Sequence, residues 1–117
     1  MNIEELRNFC LSLKGATESF PFDEVTLVFK VGGKMFALIN LNGPLTVNIK
    51  CDPEQAIELR ERYTAVVPGY HMSKQHWNTI HMDGSVRSNL VKGWIIDSYN
   101  LIVASLPKLK RMELLNQ

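Results

Sequence analysis

Nothing in these 117 residues approaches the roughly 18 consecutive apolar residues of a membrane span. The opening Met1-Asn2-Ile3-Glu4-Glu5 has neither a basic start nor an apolar stretch behind it, so no export signal is expected and the chain reads as cytoplasmic. Cysteine is scarce. Cys10 and Cys51 lie far apart and form no CxxC pair, which points to reduced, structural thiols instead of a disulfide framework. An excess of one charge is also missing: 13 Lys and Arg face 12 Asp and Glu, a net charge of +1. That balance excludes a nucleic-acid binder working through bulk positive charge and leaves such a role to local patterning. Repeats and low-complexity stretches are absent, which excludes a collagenous or disordered chain. The prior is one domain, residues 1–117, burying about two thirds of its unfolded surface.

The elements that are present read clearly. Asn2 as cap and Glu5 three residues on open a helix that carries Leu6, Cys10 and Leu13 on one face and stops by Gly15. Between Gly15 and Asp23 the run Ala16 to Phe22, with Pro21 in it, reads as an extended connector whose Phe20 and Phe22 are expected to anchor it. From Val25 the period becomes two, Gly32-Gly33 supplies a hairpin turn, and a second strand runs from Met35 to Leu41. In a third strand Leu45, Val47 and Ile49 should face the core, leaving Thr46, Asn48 and Lys50 on the other face with Asn40. Asp52-Pro53 starts a second helix that runs to about Tyr63. Short strands are expected over 64–67 and 77–82, then a third helix carrying Leu90, Val91, Trp94, Ile95, Leu101 and Ile102, with Ser88 as cap and Pro107 as its end, and a short helical piece in the tail from Lys108 to Gln117. The order α-βββ-α-ββ-α describes a two-layer α+β domain, helices on one face of an antiparallel sheet.

Candidate chemistry is sparse. His71, His76 and His81 sit five apart, a spacing that separates faces of a strand and leaves no paired Cys to complete a zinc site, so no metal or other cofactor is expected. Cys51, at a helix start, has the position of an activated thiol but no base nearby in sequence, and a buried structural thiol is the plainer reading. Ser73, Ser85 and Ser88 lie in no nucleophile elbow, and Gly32-Gly33 is no phosphate loop. No catalytic residue is therefore expected. Tyr70, Trp77 and Phe36 have the chemistry to stack bases, but aromatics at strand spacing more often pack a core. Lys30 and Lys34 flank the first turn, Lys50 ends the third strand and Lys74 sits in the later connection; Lys108, Lys110 and Arg111 complement a helix end or meet a partner.

The run Pro68-Gly69-Tyr70-His71-Met72-Ser73-Lys74-Gln75-His76-Trp77-Asn78-Thr79, continuing to Asp83-Gly84, resembles the signature of the MmcQ/YjbR family. Phe20-Pro21-Phe22, Val28-Phe29-Lys30-Val31, Gly33-Lys34-Met35-Phe36-Ala37 and Leu106-Pro107-Lys108 agree with it in order, so the resemblance covers essentially the whole chain; Ser73 stands where the family pattern has Asn. The resemblance implies a fold similar to the secretion-chaperone-like and CyaY-like folds. It also implies the family's description as predicted DNA-binding proteins with a "double-wing" motif. One wing would hold Lys30, Gly32, Gly33 and Lys34, the other Tyr70, His71, Lys74, His76 and Trp77.

Three functions follow as expectations. The first is weak, largely nonspecific duplex DNA binding through the wings, with Lys30, Lys34, Lys50, Lys74, His71, His76 and Trp77 as the contact set. The second is a protein-interaction or chaperone-like module using the sheet face of Thr46, Asn48 and Asn40. The third is a small-molecule role for His71, Lys74 and His76. Both wings on one positive face would favour the first, a broad apolar patch the second, and a pocket lined by the Gly69 to Asn78 block the third. A monomer or weak dimer is expected, with no membrane partner.

Overall fold

Asn2 opens the chain's first helix as its pattern demands: Oδ1 accepts from the Glu5 amide at 2.8 Å and α1 (Ile3–Ser12) follows, burying Leu6 and Cys10. The computed structural model describes residues 1–70 and 72–117. After α1 come β1 (Thr17–Ser19), β2 (Thr26–Val31), β3 (Lys34–Asn40), β4 (Thr46–Lys50), α2 (Pro53–Arg62), β5 (Val66–Pro68), β6 (Trp77–His81), α3 (Ser88–Ser105) and α4 (Lys108–Leu115). The six strands form one antiparallel sheet in the order β1-β2-β3-β4-β6-β5. Gly32 and Gly33 carry φ of 58° and 83°, the pair of positive angles that lets a two-residue turn match the twist of its strands.

The helices cover one face. Leu6, Ala56, Trp94 and Ile95 share a single buried cluster with Phe29, Ile39, Val47 and Ile80 from the strands. At Phe36 the β2–β3 register shifts, Phe29 opposing Ala37 and Lys30 opposing Met35, so β3 carries an extra residue and both Phe36 and Ala37 point into the core. The irregularity is stitched by α3. The Ser98 hydroxyl, fully buried, donates to the Phe36 carbonyl at 2.6 Å and accepts from the Lys50 amide at 2.9 Å. The opposite face is only partly filled, by Val28, Leu38 and Trp77 with Met35 and Met72 against them.

The α+β class and the antiparallel sheet are as the pattern implies, and the structure adds an edge strand. Residues 17–19, read as part of a connector, form the edge strand β1, held by pairing with β2 and by an Arg7–Glu18 ion pair to α1. The helical piece expected in the tail is α4, anchored by Leu114. Phe20 and Phe22 are not anchors: both are exposed, Phe22 at 64%. Asp23 organises that loop instead, Oδ1 accepting from the Val25 and Thr26 amides at 2.9 and 2.7 Å, hydrogen bonds that hold its carboxyl below the usual range. Ser88 is the first residue of α3 and not its cap; Arg87 holds the cap position without a side-chain bond. Leu90 and Leu101 lie at the margins of α3's packed face, each 37% exposed. No helix among the described residues is long and apolar enough to cross a membrane.

Candidate functional site

The strand pairing brings the two connections singled out in the sequence to one end of the sheet. Val31 opposes Lys34 at the β2–β3 turn, and Pro68 opposes Asn78 where the β5–β6 connection leaves; Lys50, opposing Trp77, ends β4 between them. Lys30 and Lys50 alternate with the core residues Phe29 and Ile49, so both project from the face that carries no helices. Counting strands, the centres of the two connections are about 14 Å apart, three steps at the usual inter-strand spacing.

The β5–β6 connection is held at several points. Gly69 donates to the Trp77 carbonyl at 2.8 Å, and a Cβ at position 69 would lie 2.9 Å from the Trp77 Cβ, so the close approach requires glycine. Met72 closes a turn onto the Gly69 carbonyl at 3.0 Å, Trp77 returns to the Ser73 carbonyl at 2.9 Å, and Cys51 donates to the His76 carbonyl at 2.7 Å. Arg60 reaches across from α2, Nη2 donating to the Lys74 carbonyl at 3.2 Å and Nε to the Ala56 carbonyl at 3.1 Å. That same Ala56 carbonyl accepts from Asn78 Nδ2 at 3.1 Å, tying β6 to α2, while Asn78 Oδ1 has no partner among the described residues. On the outside, the Lys74 ammonium sits 5.3 Å from the centroid of the Tyr70 ring, which is 63% exposed.

The first turn is docked and does not project freely. Leu106 covers Gly32 so closely that a Cβ there would lie 2.6 Å from its Cδ1, Lys110 Nζ donates to the Gly32 carbonyl at 3.2 Å, and Lys34 Nζ lies 3.3 Å from Ser105 Oγ. Lys110 is thus a cation of this sheet end that sequence reasoning left at a helix terminus; no local signal ties residue 110 to a turn 78 positions earlier.

The remaining candidates separate. Trp77 is only 9% exposed and Phe36 fully buried, so neither ring is presented to a ligand; Trp77 fills the open face beside Val28 and Leu38. His76 is exposed next to the site, His81 is exposed at the other end of β6, and His71 lies outside the described residues. Among the described residues no three His, Cys, Asp or Glu come together in a way that would hold a metal ion. Cys51 is a buried thiol pushed up to about 11 by desolvation first and by Asp97 and Asp52 next, the reverse of an activated nucleophile. Asn40, Thr46 and Asn48 do share the open face, where Thr79 donates to Asn48 Oδ1. One cleft lies among Gly15, Gly32, Leu106 and Lys110 and another among Asp52, Asp97 and Leu101; neither is lined by residues 69–78.

A family model matches residues 11–101 under the description YjbR. The chain belongs to the YjbR family. Two Escherichia coli relatives agree over nearly the whole length: YbdF of strain O157:H7 is 35% identical across 90% of this chain and 87% of its own. YjbR of strain K12 is 33% identical across 95% of each. Both carry the description uncharacterised. The crystal structure of Deinococcus radiodurans DR2400, described as a DUF419 domain, is 39% identical and superposes with a TM-score of 0.91 over 97% of this chain and 87% of that one. A Pseudomonas syringae protein, 24% identical over 87% of this chain and 99% of its own, shares the fold with a TM-score of 0.77. In this YjbR-family chain the signature residues Gly69, Trp77 and Asn78 build the connection, whereas Tyr70 and Lys74 are displayed by it.

Proposed function

We propose that this chain is a cytoplasmic, non-catalytic protein that binds double-stranded DNA weakly and with little sequence preference, gripping phosphates with the two connections at one sheet end. The observation that carries the reading is the gathering of Lys30, Lys50 and Lys74 at that end, where Lys34 also lies, turned to Ser105 of α3, although they come from three separate parts of the sequence. The separation of about 14 Å between the connections compares with a major groove about 12 Å wide, so each lies near the backbone of one strand. Trp77, packed into the sheet, presents no ring to a base, and lysine contacts to phosphates position a protein without reading sequence. A protein-docking role for the open face has less support, because its large apolar side chains Val28, Leu38 and Trp77 are already buried.

Four phosphate contacts give a slope of log affinity against log salt of about −3.6, with dissociation constants on the order of 10⁻⁴ to 10⁻⁶ M at physiological salt. Titrating a labelled duplex at several salt concentrations tests this. Lys34→Ala with Lys74→Ala should weaken binding to every sequence and flatten the slope by about 2. Absence of binding at low salt discards the reading, and an unchanged slope in the double variant moves the contact surface elsewhere.

A further inference from the structure

The displayed residues of the β5–β6 connection go further than phosphate contact. Of the two large aromatic rings in the signature, one is packed and one is presented. Trp77 is buried and fixes the connection, whereas Tyr70 is 63% exposed and touches no core cluster. The Gly69 amide, bonded to the Trp77 carbonyl, fixes the residue before Tyr70, and the return of Trp77 to Ser73 and the Arg60 bond to the Lys74 carbonyl fix the later part of the connection. The ring therefore stands directly after a fixed point of the connection. Beside it stands the Lys74 ammonium, and Lys50 ends the neighbouring strand.

A lysine over one part of an exposed ring, on a surface already carrying cations, is the pairing of charge and π-face used to hold an unstacked base and its phosphate. A base inside a duplex has both faces occupied by its neighbours and offers Tyr70 nothing. We infer that Tyr70 is a stacking platform for an unpaired base, and that the DNA this site prefers is a duplex carrying a single-stranded overhang. The inference rests on the nucleic-acid reading of the sheet end and names the substrate class within it.

The test compares a blunt labelled duplex with the same duplex carrying a three-nucleotide overhang, at one salt concentration, for the wild-type chain, Tyr70→Ala and Tyr70→Phe. The wild type should bind the overhang duplex tighter by roughly 5- to 150-fold, the worth of one base on one aromatic ring. Tyr70→Ala should lose more affinity for the overhang duplex than for the blunt one, so that the preference disappears, and Tyr70→Phe should retain it. An overhang of abasic sugar-phosphate should bind no better than blunt DNA, because the gain requires a base. Since the ring is exposed, the thermal midpoint of Tyr70→Ala should match the wild type, which separates stacking from a structural role. Equal affinity for blunt and overhang DNA, or a loss of the same size on both with Tyr70→Ala, overturns the inference and leaves the duplex-binding reading standing. Failure of both DNAs to bind at low salt overturns the two together.

Discussion

Trp77 shows how one residue can be part of a signature without being part of a surface. Its ring closes the half-filled face of the sheet against Val28 and Leu38, its backbone receives Gly69 and reaches Ser73, and it stands opposite Lys50. Trp77→Ala should cost about 3 to 5 kcal/mol, read as a lower urea midpoint with an unchanged m-value. A midpoint equal to wild type would mean that the ring contributes no packing. At this scale the sequence was legible where chemistry is local: the caps at Asn2 and Asp52 and the lysines at turns follow from neighbours in the chain. It was not legible for Lys110, whose partner is Gly32, nor for Phe20 and Phe22, because aromatic character does not say which side of a loop meets the core.

Among the elements, α3 packs on the sheet through Trp94 and Ile95 and bonds two of its strands through one buried hydroxyl. Ser98→Ala would leave the Phe36 carbonyl and the Lys50 amide buried without partners, at a cost of about 1 to 3 kcal/mol for each, and the loss should appear in urea unfolding. Ser98→Thr keeps the hydroxyl and should recover part of that loss if the added methyl is accommodated. The same helix carries a position that can be improved. Gly93 lies in its interior, and a Cβ there would meet nothing within 4 Å, so Gly93→Ala should stabilise by about 1 kcal/mol through helix propensity, visible as a higher thermal midpoint. The strands β2, β3 and β4 were readable because alternation and glycine turns are periodic signals. The edge strand β1 was not, since Thr17, Glu18 and Ser19 carry no apolar pattern and exist as a strand only because β2 offers an edge.

For the whole molecule, the two thiols set a limit on the alkaline side. Burial pushes Cys10 up to about 12 and Cys51 to about 11, against about 9 for an ordinary thiol. Both are acids raised by folding, so the stability that follows from their neutral form is complete below about pH 9. Above that the unfolded chain releases protons that the folded chain retains, and stability falls as pH rises towards 11, at about 1.4 kcal/mol per pH unit for each thiol. Urea unfolding at pH 8, 9 and 10 should show this fall, and a Cys10→Ala, Cys51→Ala double variant, less stable at pH 8, should show a shallower one. The extra residue at Phe36 has its consequence before the fold is complete. Met35 to Leu41 is a stretch with little polarity and no charge, the kind of segment that pairs with copies of itself on a crowded ribosome. With Phe36 and Ala37 both turned inward, β3 buries its apolar side chains only in its native register on β2, and a slip by one residue would turn them to the open face. Correct pairing is thus what withdraws this segment from contact with other chains.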